Sequence, residues 1–96
     1  MPYFTADVRY TGDRELLLAT RPRHREYLRA LAERGTVVAA GPWSDDLGGF
    51  TVYQVADQTE LDQVLADDPY TVEGVVAQRT VREWRPLLGG WLPAAG

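Results

Sequence analysis

RPRHREYLRALAERGTVVAA, residues 21–40, changes its periodicity partway through, and that change sets the fold class. His24, Tyr27, Leu28 and Leu31 recur at i, i+3, i+4 and i+7, the stripe of an amphipathic helix. Thr20 or Arg21 stands at the cap and Pro22 suits a first turn, so the spacing predicts a helix beginning near Arg21 and stopped by Gly35. Thr36 to Ala40 then reads as a short buried strand, closed by Gly41-Pro42. Arg23, Arg25, Glu26, Arg29 and Glu33 lie mainly off the apolar stripe. The five arginines from Arg21 to Arg34 are interleaved with glutamates and read as a solvated helix face.

Upstream of this stretch, Tyr3 to Tyr10 alternates as a half-buried strand, with Phe4, Ala6, Val8 and Tyr10 on one side. Residues 14–20 fit either a brief helical turn or a packed loop. Downstream, Trp43 to Gly49 is a polar loop in which Gly48-Gly49 reads as a hairpin turn, and Phe50 to Val55 is the next strand. Asp57 and Glu60 form a capping-box pattern ahead of Leu61, Val64 and Leu65, and Pro69 ends that second helix. Val75 to Trp84 is a last strand. One domain spans 1–96, with a core of 1–85 and a tail of 86–96. The βαββαβ order points to an α+β, ferredoxin-like fold: a four-stranded antiparallel sheet with two helices on one face. Val52, Val81 and Trp84 offer more apolar surface than two helices can bury, which predicts a homodimer formed through the other sheet face.

A chain of 96 residues buries roughly two-thirds of its unfolded surface, so association would help its stability. The net charge of −4 argues against nucleic acid as a partner. No basic-then-apolar leader and no apolar run of membrane-spanning length occur, so no membrane role and a cytoplasmic location are expected. The composition excludes more. The chain has one histidine, His24, one serine, Ser44, and no cysteine, lysine or asparagine. Thiolate, Schiff-base and zinc-ribbon chemistry fall away, and neither a metal nor a cofactor is expected. Proton transfer near neutral pH rests on His24 alone.

Placed in a first turn and facing inward, His24 would meet a helix dipole and a burial that both disfavour its charged form; a carboxylate would oppose them. A core histidine satisfied by one backbone carbonyl is the plainer alternative. Asp68 stands at an electrostatically poor helix end, before Pro69 and Tyr70, either as a partner for His24 or as a solvated Asx turn. Ser44 would complete a Ser-His-Asp triad, but Gly-Pro-Trp-Ser-Asp lacks the Gly-x-Ser-x-Gly elbow, so a binding or turn role fits better. Asp45 and Asp46 lack the spacing and final glutamate of a calcium loop.

Residues 21–28, Ala40-Gly41-Pro42, then Ala66 to Tyr70 and Gly74 together resemble the YCII-related family, over Tyr3 to about Arg85. The resemblance implies a dimeric α+β barrel whose pocket histidine and aspartate map onto His24 and Asp68. It also implies kinship with dehydrochlorinases and muconolactone isomerases. The loop after Gly41-Pro42 is shorter than in longer members, so their substrate preferences do not carry over. The leading expectation is a cofactor-independent enzyme working on a small aromatic or lactone-like metabolite by elimination or isomerisation. His24 and Asp68 would be its acid/base pair, and Ser44, Tyr70, Gly41, Trp43 and Tyr27 would contact substrate. The alternatives are a non-catalytic dimeric module that binds a metabolite or assists a pathway enzyme, and a structural protein with an apolar patch around Trp91.

Overall fold

The computed structural model describes residues 1–92. Its elements are β1 (Tyr3–Tyr10), α1 (Arg14–Glu33), β2 (Val37–Pro42), β3 (Gly48–Gln54), α2 (Gln58–Asp67), a short α3 (Pro69–Val72) and β4 (Val76–Trp84). The strands form one antiparallel sheet in the order β2-β3-β1-β4. Leu31 of α1 and Leu61 and Leu65 of α2 bury against Phe4, Ala6, Val37 and Tyr53. Both long helices therefore cover the same sheet face, which is the ferredoxin-like α+β arrangement expected.

Helix α1 starts earlier than its sequence indicates. Asp13 caps it by accepting from Leu16 N at 3.1 Å, so residues 14–20 are helix and Pro22 lies inside it. Pro22 removes one i→i−4 bond, to Leu18. Both residues are exposed, which lets the freed carbonyl face solvent. The capping box of α2 forms as read: Glu60 N donates to Asp57 Oδ1 at 2.9 Å, and Glu60 Oε1 accepts from Ala56 N at 2.7 Å.

Gly48-Gly49 is not the hairpin turn. The two glycines open β3 opposite Arg9 and Val8, where a Cβ on Gly48 would run into the Val8 carbonyl and one on Gly49 would sit 2.8 Å from the Tyr10 hydroxyl. The reversal falls earlier, at Asp46, the one non-glycine residue with positive φ (59°) among the described residues.

Sheet register also corrects the apolar face. Val81 stands opposite Ala6 and packs into the helix-side core, whereas Val52, opposite Thr5, does lie on the other face but is only 4% exposed within the single chain. Of the residues named for that face, Trp84 remains at 40% exposure; Trp91 packs edge-on against it at 5.8 Å and lies 6.4 Å from Tyr3. The part of the 86–96 tail beyond Leu92 lies outside the described residues. No helix among the described residues is long and apolar enough to cross a membrane.

Candidate active site

Because α1 begins at Arg14, His24 lies about three turns into the helix. The first-turn dipole argument therefore does not apply to it. Its position on the inward stripe directs it toward the junction of α2 and α3. There Pro69 stops α2, the backbone of Asp68 turns extended (φ −63°, ψ 126°), and Asp68 becomes the cap of α3 with Pro69 at the first helical positions.

Asp68 is only 4% exposed, and one oxygen serves two donors. Its Oδ1 accepts from Tyr70 N at 2.9 Å and lies 2.7 Å from His24 Nδ1. Asp67, its neighbour, is exposed and takes only the Gln63 amide. A buried carboxylate can only accept, so the neutral imidazole carries its proton on Nδ1 and keeps a lone pair on Nε2. Among the described residues Nε2 has no hydrogen-bond partner.

The imidazole lies flat on the Tyr70 ring, with centroids 3.6 Å apart and planes within 2°. The Tyr70 hydroxyl accepts from Arg21 Nε at 3.3 Å, and Arg21 Nη2 reaches Asp46 Oδ1 at 2.8 Å. Arg14 holds the other Asp46 oxygen at 2.9 Å. The Tyr70 contact, then Asp46, raises Arg21 above its ordinary value, while Arg14 and Arg21 hold the Asp46 carboxyl below the usual carboxylate range. Bonded through its oxygen, Tyr70 keeps its own proton available to donate.

His24, Asp68 and Tyr70 line a cavity of about 390 Å³ between α1 and the sheet, together with Tyr10, Tyr53 and Arg79. That volume suits a ring-sized molecule. Burial, followed by the neighbouring Tyr70, pushes Tyr10 up to about 12. Burial, followed by the Asp68 charge, also raises Tyr53. Both phenols therefore stay protonated at neutral pH.

The structure thus gathers His24, Asp68, Tyr70 and Gly41 around one cavity. It leaves out three residues expected to contact substrate. Tyr27 donates its hydroxyl to Val64 O at 2.7 Å, which ties α1 to α2. Trp43 is 47% exposed and borders a separate hollow. Ser44 is exposed in the turn before β3 and does not line the cavity, so no triad assembles. Among the described residues no group of three His, Asp or Glu side chains gathers to hold a metal.

Sequence reading missed the cavity's cations. Arg21, Arg25 and Arg29 all line it, although the cluster read as a solvated face. Their i, i+4, i+8 spacing, one row along the helix beside His24, was the available signal. Arg79 and Tyr10 follow from strand alternation, since Val8 lies opposite Arg79 on the helix-facing side.

The model of the YCII-related domain matches residues 2–85. The chain belongs to the YCII-related family. No curated protein matches it. Among solved structures, this YCII-related chain is similar to a 5-chloro-2-hydroxyhydroquinone dehydrochlorinase from Burkholderia phenoliruptrix, in complex with 2,5-dihydroxybenzoquinone. The TM-score is 0.74 at 21% identity, over 88% of this chain and 94% of that one. An antibiotic biosynthesis monooxygenase aligns with a TM-score of 0.61 at 16% identity, over 92% of this chain and 100% of that one. A protein from Agrobacterium tumefaciens aligns at 0.58 and 11% identity, over 97% and 98%. At these identities the likeness is one of fold.

Proposed function

We propose that the protein is a cofactor-independent acid–base enzyme that carries out elimination or isomerisation on a small, ring-sized metabolite. The observation that carries this reading is the 2.7 Å contact between His24 Nδ1 and Asp68 Oδ1, with Nε2 unpartnered among the described residues and His24 lining a cavity of about 390 Å³. In the proposed step Nε2 takes a proton from a substrate carbon. The carboxylate of Asp68 stabilises the resulting imidazolium through the Nδ1–H bond. In an elimination, the electron pair of the broken C–H bond becomes the new π bond as chloride or another anion departs. In an isomerisation, His24 returns the proton to a different carbon. Neither route needs an oxidant or reductant. Tyr70, whose hydroxyl accepts from Arg21, donates to a substrate oxygen.

The dehydrochlorinase of similar fold lends support to the elimination route. The test is a turnover screen of chlorinated hydroxybenzenes and lactones, following chloride release or ring absorbance. His24→Asn should lower turnover by about 10²–10⁴-fold, the usual contribution of a positioned acid–base group. Asp68→Asn should lower it too. Full turnover in both variants would rule the reading out. A protein that binds these compounds yet turns over none would be the non-catalytic module instead.

The proposed assembly is a homodimer through the sheet face away from the helices. Tyr3, Phe50 and Trp84 alternate onto that face, and Trp84 stays 40% exposed beside Trp91. Sedimentation of the wild type and of Trp84→Arg tests it: the wild type should run as a dimer and the variant as a monomer. A monomeric wild type would sink it.

A further inference from the structure

The cavity differs in charge from the chain around it. The protein carries a net charge of −4, yet Arg21, Arg25, Arg29 and Arg79 line the cavity, and Asp68 is the one carboxylate among its lining residues. That carboxylate already faces His24 Nδ1 and Tyr70 N, and Arg21 is paired with Asp46. Arg25, Arg29 and Arg79 have no acidic partner among the described residues.

Arg79 is the most telling of the three. Its Nη2 donates to Thr71 Oγ1 at 2.7 Å, while its Nε is buried without a partner among the described residues. With Nη2 tied to Thr71 and Nε enclosed, the guanidinium is fixed in place, and its charge stands at the cavity wall without an acidic partner among the described residues. Guanidinium presents a planar fork that matches the two oxygens of a carboxylate. Arg25 and Arg29 are exposed and add a positive rim that draws anions in.

We propose that the ligand of this cavity is an aromatic-sized carboxylate anion, held by the guanidinium of Arg79 while Arg25 and Arg29 steer its approach. This deepens the acid–base reading by naming the charge its substrate carries, and it rests on that reading only for treating the cavity as the substrate site.

Benzoate and its uncharged counterpart benzamide are the probes, with affinities read from backbone amide shifts in an NMR titration of the full chain. Benzoate should bind at least about tenfold tighter than benzamide at low salt, as expected for one charge-assisted contact. Added salt should weaken benzoate alone. Arg79→Gln should bring the two affinities together, and Arg79→Lys should recover part of the preference. A double variant, Arg25→Gln with Arg29→Gln, alters only exposed side chains and should weaken benzoate binding at low salt while sparing benzamide. If Arg79→Gln does not fold, the Lys and double variants still decide the matter. Equal affinities in the wild type, an unchanged preference in the Arg79 variants, or no benzoate binding would each overturn the proposal. An inert protein that prefers benzoate would keep the anion and lose the acid–base step. One that turns over neutral substrates and binds both probes equally would do the reverse.

Discussion

The two ends of the helix-covered sheet face are built differently. Toward the C-terminal half of α1, Leu31, Leu61, Leu65, Phe4, Ala6 and Val55 form an apolar cluster. Toward the other end, Leu17, Tyr70 and Val75 form a smaller buried core, edged by Tyr10, Leu16 and Val76. His24, Asp68, Arg21 and Arg79 stand beside that smaller cluster and around the cavity. The first end holds the fold together by apolar burial. The second gives up packing for polar groups, and one of those, Arg79 Nε, is buried without a partner among the described residues. Groups that cost stability persist where they have another use.

The largest effect should follow from damaging the apolar end. Leu61 is fully buried, and Leu61→Ala removes its transfer free energy and leaves a cavity. A loss of about 2–5 kcal/mol is expected in denaturant unfolding, with the His24 imidazole signals unchanged under native conditions. A loss below about 1 kcal/mol would mean that stability is not concentrated there.

Asp68→Ala should come next, and it should hurt both properties. It strands Tyr70 N and His24 Nδ1 together, at a cost of about 1–3 kcal/mol. Asp68→Asn keeps an oxygen for Tyr70 N and should recover much of the stability. Nitrogen NMR separates the two roles. In the wild type the neutral imidazole should carry its proton on Nδ1, and in Asp68→Asn a population protonated on Nε2 should appear. An unaltered tautomer would mean that Asp68 caps α3 without orienting His24.

The same contrast explains what could be read in advance. Strand β1, the α2 capping box and the stripe of His24, Leu28 and Leu31 are local patterns with a fixed period, and each stood out in the sequence. The start of α1 did not, because Pro22 fits a first turn as well as it fits a solvent-facing interior position, and only tertiary burial of Leu17 and Thr20 decides between them. His24 and Asp68 could be named singly, but they lie 44 residues apart, and their contact depends on how α1 crosses the α2–α3 junction. The arginines were misread for a related reason. Helical period places Arg21, Arg25 and Arg29 on one row, while the cavity that row overlooks exists only once the sheet is assembled.

A smaller effect should appear at high pH. Tyr10 ionises near 12 in the folded chain against an ordinary 10.0, chiefly because it is buried. The folded state thus keeps a proton that the unfolded state releases first. The stability this gives is whole below pH 10 and drains away as the pH climbs toward 12. Ultraviolet titration should show one late-ionising phenol fewer in Tyr10→Phe than in the wild type. A phenol that instead disappears from the ordinary range would place Tyr10 in water and open the polar end to solvent.

The smallest effect should lie at acid pH, in the turn that borders the polar end. The Asp46 carboxyl is held below its usual range by Arg14 first and Arg21 second, so its folded-state value is the lower one. Its contribution is therefore present above the ordinary carboxylate value of 3.8 and is lost as the pH falls through the depressed one. Asp46 is solvent-accessible and its partner Arg14 is exposed, so salt should screen most of the interaction. Asp46→Asn should then be slightly less stable than the wild type at neutral pH, and the gap should close on acidification or in high salt. The variant also frees Arg21, which donates to Tyr70 beneath the imidazole. If the gap persists in acid and in salt, Asp46 acts by shaping the turn, where its positive φ already sets it apart, rather than by its charge.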